Sequence, residues 1–113
     1  MLAKRYLLNK KEVAVFKQRG KNVFRTPFFN VAVLKVSDED IVKFSFVISK
    51  KVSGRAVERN KVKRLLAEII RNKLDKFKRG FYIVFYIKDK MCSANYEEIN
   101  NLVDKSISEI SLA

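Results

Sequence analysis

The sequence predicts an α+β fold: one small domain in which three helices pack on a central sheet of about four strands. Three patterns predict it. Residues 41–50 alternate between a row of large apolar residues and a row of mostly small and polar ones, as a strand with one covered face does. Residues 81–88 (FYIVFYIK) form an almost wholly apolar run of strand length, as a central strand with both faces covered would be. Two further stretches, 61–70 and 96–110, place their apolar residues at spacings of three and four, the period of an amphipathic helix.

Taken in order, residues 2–8 are short, basic and poorly patterned, and are expected to form a flexible basic arm or to lie on a partner. Asn9 followed by Glu12 has the spacing of a capping box, so a helix over 10–19 is predicted, stopped at Gly20. Val13 and Phe16 share a face of that helix, a spacing that favours a core position for Phe16 by about two to one over a stacking platform for a base. A strand beginning near Val23 is followed by Pro27, which fits a strand start or an edge. Residues 28–36 are then extended, with Phe29, Val31 and Val33 on one face and Phe28, Asn30, Ala32 and Leu34 on the other. A turn at Ser37, Asp38, Glu39 and Asp40 leads to the strand over 41–50. There Val42, Phe44, Phe46 and Ile48 make a core face, and Lys43, Ser45, Val47 and Ser49 a face of small and polar groups.

The next helix is expected to run from the loop around Ser53 and Gly54 to about Phe77. At about 100° per residue, Val62, Leu65, Leu66, Ile69 and Ile70 fall within roughly 140°, the width of a buried stripe. Asn60, Arg64 and Arg71 cluster on the opposite side, Arg59 and Lys63 flank one edge of the stripe, and Lys61 the other. The strand over 81–88 carries Tyr82, Val84 and Tyr86 in one row; if either of its rows meets RNA it is this one, although buried tyrosines with satisfied hydroxyls fit as well. Asn95 with Glu98 repeats the capping signal, and Tyr96, Ile99, Val103, Ile107 and Ile110 form the stripe of a last helix. The order is therefore α-β-β-β-α-β-α, with a β-α-β crossover that is right-handed by the general rule.

Composition narrows the function. Net charge is +13, and 12 of the 25 Lys and Arg lie between Lys50 and Arg79 against only three acids. A solvated surface helix usually mixes Glu with Lys at spacings of four. This one offers little such pairing, which points to a polyanion, nucleic acid first and an anionic membrane surface second. No apolar run approaches the ~18–20 residues of a membrane span, and the N-terminus lacks the apolar region of a secretory signal, so a cytoplasmic protein is expected. With no histidine and one cysteine, Cys92, zinc sites of the Cys/His type, disulfides and His-based acid–base chemistry are excluded. Gly20, Gly54 and Gly80 are isolated and form no phosphate-cradling loop. Nothing in the chain alone supports hydrolysis.

The run FVISKKVSGRAVERNKVKRLLAEIIR closely resembles the signature of the protein subunit of bacterial ribonuclease P: a Ser-Lys-Lys strand end, then Ala-Val-x-Arg-Asn-x-x-Lys-Arg on a helix. The resemblance continues to a first helix ending Phe-x-x-x-Gly, here Phe16 to Gly20, and to an aromatic strand followed by a terminal helix, so it covers nearly the whole chain. It implies a protein partner of a catalytic RNA that cleaves precursor tRNA to make the mature 5′ end. The ribonuclease P RNA subunit would perform the hydrolysis with bound Mg²⁺, with no organic cofactor and no membrane involved. It also implies that the crossover is the rare left-handed kind, against the general rule.

By position, the resemblance assigns RNA contacts to Ser49, Lys50, Lys51, Arg59, Asn60, Lys63 and Arg64; Arg55, Lys61 and Arg71 join them on the same basic surface. Arginine offers a planar donor fork to phosphate, lysine a point charge, and asparagine both a donor and an acceptor. Contact with the single-stranded 5′ leader is expected at Phe16, Phe29, Tyr86 and Lys88. Four positions depart from the family pattern. Lys61 stands where arginine is usual, Ala67 where a further arginine is common, Glu12 where the first helix usually has an aromatic, and Val31 where the second strand does, with Phe29 as a possible substitute. The rival reading is a structural RNA binder such as a ribosomal protein. A DNA reader lacks visible helix-turn-helix spacing, and a membrane-surface helix would want interfacial aromatics.

Overall fold

A computed structural model describes residues 2–38, 40–48 and 54–113. Helix α1 (Lys10–Arg19) starts at a complete capping box. Asn9 Oδ1 accepts from the Glu12 N–H at 2.9 Å, and Glu12 Oε1 accepts from the Asn9 N–H at 2.9 Å. Strands β1 (Lys21–Arg25), β2 (Phe29–Lys35) and β3 (Val42–Ile48) follow, then helix α2 (Ala56–Arg71), strand β4 (Phe81–Ile87) and helix α3 (Tyr96–Ser111). The order of elements is the one the patterning predicts.

The sheet runs β1-β2-β4-β3. β1 and β2 pair antiparallel through a tight turn in which Thr26 Oγ1 accepts from the N–H groups of Phe28 and Phe29 and donates to the Phe29 carbonyl. β2 is antiparallel to β4, while β3 is parallel to β4, from Val42 opposite Phe81 to Ile48 opposite Ile87. Two parallel neighbours need a crossover, and α2 is that crossover. β4 is the strand buried on both faces, which accounts for its nearly unbroken apolar sequence.

The two faces of the sheet have different fates. Phe29, Val31, Val33, Phe44, Ile83 and Phe85 face α2 and α3 and form the main core with Leu66, Ile69, Ile70, Ile99, Val103 and Ile110. The opposite face carries a smaller cluster, Phe16 of α1 over Ala32 and Val84, with Leu34, Tyr82 and Tyr86 around it.

Four expectations require correction. Residues 2–8 are not a free arm: Leu2 is buried in the core, a short 3-10 turn spans Lys4–Tyr6, and Leu7 bridges Phe44, with the Leu8 N–H donating to the Phe44 carbonyl at 3.0 Å. The cause is that β3 is an edge strand, and the segment covers the side β4 leaves open. Helix α2 ends at Arg71 rather than near Phe77. The chain then turns through Leu74–Lys76 so that Phe77 packs edge-on against Phe44, 5.0 Å between ring centres. Tyr96 is 52% exposed because it precedes the buried stripe of α3, which begins at Ile99. At that N-terminus only half of the capping box forms, Asn95 Oδ1 accepting from the Glu98 N–H.

Candidate nucleic-acid interface

The basic stretch that looks like one cluster in sequence is divided in space. α2 has 16 residues, so its ends lie about 24 Å apart, and the cations on the two sides of that length do different work. At the C-terminal end of the helix and beyond it they are engaged within the chain. Arg71 makes a two-pronged ion pair with Glu68, and Lys73, nearly buried, pairs with Asp104 at 2.7 Å. Arg79 donates to the Asp40 carbonyl at 3.1 Å, and Lys78 lies 5.6 Å from the centre of the Phe81 ring. The Glu68 carboxyl is held below its ordinary value chiefly by the Arg71 hydrogen bond, which in turn raises that of the guanidinium.

Toward the N-terminus of α2 the picture reverses. Asn60, Lys61 and Arg64 are exposed and Lys63 is half-buried. No ion pair among the described residues involves Lys61, Lys63 or Arg64. Arg55 lies 3.6 Å from Glu58, and Arg59 is half-buried with contacts inside the chain. Val62, Leu66, Ile69 and Ile70 anchor the helix from beneath, so the cations are presented by a face fixed to the sheet. Ala67 is 4% exposed and belongs to that anchor, so it is not a vacated RNA contact. Ser49, Lys50 and Lys51 lie outside the described residues. Of the predicted basic set, the structure thus brings Asn60, Lys61, Lys63 and Arg64 together and sets Arg71 apart in an intramolecular pair.

The second candidate surface is on the other face of the sheet. A cleft of about 350 Å³ opens there, lined by Phe16, Lys17, Gly20, Asn22, Asn30, Ala32 and Tyr86. Phe16 is 3% exposed, so its ring forms the floor more than the wall, and Gly20 is what lets that ring sit where it does. A Cβ at Gly20 would lie 2.5 Å from Phe16 Cε1. Tyr86 is half-buried at the rim. Asn30 Oδ1, buried among these residues, has no hydrogen-bond partner among them.

Two of the predicted leader residues are not placed to serve it. Phe29 is fully buried on the opposite face, 5.4 Å from the Phe85 ring, because strand alternation puts it with Val31 in the main core. Lys88 donates to the Thr26 carbonyl at 2.8 Å and is committed to the β1–β2 turn. Sequence reasoning missed Lys17, Asn22 and Asn30. The signal for Asn30 was its parity with Ala32, which places a polar residue from the interior of β2 on the cleft face.

Glu12 fixes α1 above this cleft. Its Oε1 caps the helix, while Oε2 accepts from Lys43 Nζ on β3 and from the Tyr82 hydroxyl on β4, both at 2.8 Å. Burial alone would raise the Glu12 carboxyl, but the hydrogen bonds from Asn9, Lys43 and Tyr82 outweigh it and hold it below its ordinary value. Burial, reinforced by Glu12, pushes the Tyr82 phenol up. Charged and hydrogen-bonding groups thus occupy the place where a first-helix aromatic was expected.

No helix among the described residues is long and apolar enough to cross a membrane. Nor do three or more His, Cys, Asp or Glu side chains gather among them as metal ligands.

Comparison with known proteins agrees with this architecture. The sequence profile of the family described as ribonuclease P matches residues 2–111. Among curated proteins, the chain is 34% identical to the ribonuclease P protein component of a Nitratiruptor species over 104 residues, covering 92% of this chain and 90% of the relative. It is 35% identical to that of Clostridium kluyveri over 103 residues, covering 88% and 87%. Among solved structures, the ribonuclease P protein from Thermotoga maritima superposes with a TM-score of 0.79 at 22% identity, over 91% of this chain and 96% of the other. The Staphylococcus aureus protein does so with a TM-score of 0.79 at 19% identity, over 96% of each. At those identities the structural matches speak for the fold.

Proposed function

Because this chain belongs to the ribonuclease P protein family, which ties it to tRNA processing, we propose that it is the RNA-binding protein partner of the catalytic RNA that matures the 5′ end of tRNA. The observation that carries this reading is the middle of α2, where Lys61, Lys63 and Arg64 stand without an ion-pair partner among the described residues. Cations left unpaired on an anchored helix gain most from a polyphosphate, which releases counterions as it docks. Asn60, exposed beside them, adds a group that both donates and accepts.

The cleft on the α1 face is proposed to take the single-stranded 5′ leader of precursor tRNA. Tyr86 at the rim supplies a ring for stacking, Lys17 a cation for phosphate, and Asn30 Oδ1 an acceptor still in need of a donor. Stacking contributes about 1–3 kcal/mol per base. A particle that grips the leader therefore favours precursor over product, because the product has no leader. In this proposal Mg²⁺ belongs to the RNA subunit, where it supplies the hydrolytic chemistry, and this chain's residues act by binding and orienting.

The test is the affinity of the particle, reconstituted with a bacterial ribonuclease P RNA, for leader-bearing and for mature tRNA. Tighter binding of the precursor is expected, and equal affinities would refute the leader assignment. A structural RNA binder of the same size and charge would fail to activate that RNA at low Mg²⁺, which separates the two readings.

A further inference from the structure

A second groove lies away from the proposed leader cleft, between α2 and the 3-10 segment Asp89–Ser93. Its volume is about 670 Å³, within the range of about 300–1,000 Å³ typical of ligand sites. Its floor is apolar: Val62 and Met91 are buried, and Leu65 and Ala94 are half-buried. The rim is ionic, and its charge is arranged unevenly. Glu58 stands toward one end and Glu68 toward the other, the first 3.6 Å from Arg55 and the second held two-pronged by Arg71. Those arginines come from outside the groove, so each carboxylate has a cation partner that is not on the groove wall. Lys61 and Arg64 stand between them, exposed, with no ion pair among the described residues.

A groove with an apolar floor and two uncompensated cations on its lip has the chemistry of a nucleotide site, the base lying on the floor and its flanking phosphates on the lip. We infer that this groove docks an unpaired nucleotide of the RNA subunit. The inference rests on the RNA-binding reading above and deepens it: Lys61 and Arg64 already carry that reading, and the groove adds an apolar floor beside them. The source is the RNA subunit rather than the leader because the groove belongs to the α2 and α3 side of the sheet, whereas the leader cleft opens on the α1 side. One strand cannot occupy both without passing around the sheet edge.

Cys92 gives a direct readout, being the only cysteine of the chain, exposed, and part of the groove wall. The wild-type protein is treated with iodoacetamide alone, with the RNA subunit, and with precursor tRNA. Alkylation requires access to the thiolate, so the RNA subunit is expected to slow it by about tenfold or more and precursor tRNA to leave it near the free rate. Protection by precursor tRNA instead, or a free rate in a particle shown by filter binding to be assembled, would overturn the inference while leaving the RNA-binding reading intact. A wild-type chain with no affinity for the RNA subunit would end both. As a second measurement, Cys92→Glu places a carboxylate on the wall at an exposed position. It is expected to weaken binding of the RNA subunit by about tenfold through repulsion of phosphate without changing the preference for precursor over mature tRNA. Unchanged affinity would also overturn the inference.

Discussion

Glu12→Gln tests whether a carboxylate, rather than shape alone, seats α1 on the sheet. Glu12 offers two oxygens to three donors: the Asn9 N–H at 2.9 Å, Lys43 Nζ at 2.8 Å and the Tyr82 hydroxyl at 2.8 Å. Glutamine has one oxygen and brings two donors of its own, so whichever way the amide turns, it meets donors it cannot satisfy. A hydrogen bond involving a charged group is worth about 1.5–3 kcal/mol, which for two such bonds sets an upper bound near 6 kcal/mol. The Lys43 and Glu12 side chains are 22% and 16% exposed, so water reaches the pair and the expected loss is about 2–3 kcal/mol. Because the folded-state value of Glu12 lies below the ordinary 4.5, its contribution is fully present above that pH and is lost as pH falls through the folded value. Urea titrations of both proteins at pH 7 and at about pH 3 are the assay, with the gap expected to be wide at the first and to narrow at the second. A gap under about 0.5 kcal/mol at pH 7, or an equal gap at both, would refute the reasoning.

Phe29→Ala is expected to cost about 3–5 kcal/mol of stability, as deletion of a fully buried ring does, with the precursor preference of the folded protein intact; urea titration beside tRNA binding checks both. Gly20→Ala drives a Cβ into the Phe16 ring, costing about 1–3 kcal/mol and turning that ring into the cleft proposed for the leader. Precursor affinity should fall in a filter-binding assay while affinity for the RNA subunit holds. Arg64→Ala should lower the slope of log affinity against log salt by about 0.7–0.9, the value for one phosphate contact, and an unchanged slope would place Arg64 away from phosphate.

Much of the architecture was legible because the signals were periodic. The capping box at Asn9 and Glu12, the alternation of β3 and the apolar run of β4 each state a local rule that tertiary structure had no reason to override. What failed to show in sequence depended on neighbours distant along the chain. Residues 2–8 are ordered by the open edge of β3, and nothing within MLAKRYLL announces that edge. The basic stretch from Lys50 to Arg79 read as one field because sequence lists charges without their partners; Asp104 for Lys73 and the Asp40 carbonyl for Arg79 are supplied by other elements. Phe29 was misassigned to the leader for another reason. Period two correctly grouped it with Val31 and Val33, but it cannot say which of two covered faces keeps a cleft.

That last distinction separates the two surfaces proposed for so small a domain. Residues on the α2 and α3 side of the sheet are large and apolar and form the main core, so α2 is held from beneath by Val62, Leu66, Ile69 and Ile70 while its cations face outward. The α1 side is covered by a single ten-residue helix over a three-residue buried cluster, and its remaining area is left to tyrosines, asparagines and lysines. Burying less apolar surface there costs stability, and the Glu12–Lys43–Tyr82 cluster offsets part of that cost with polar bonds that fasten α1 at one end while leaving the Phe16 and Gly20 end bordering the cleft. Replacing that cluster by an apolar contact would strengthen the seat by closing the face, and so would narrow the space that the proposed leader needs.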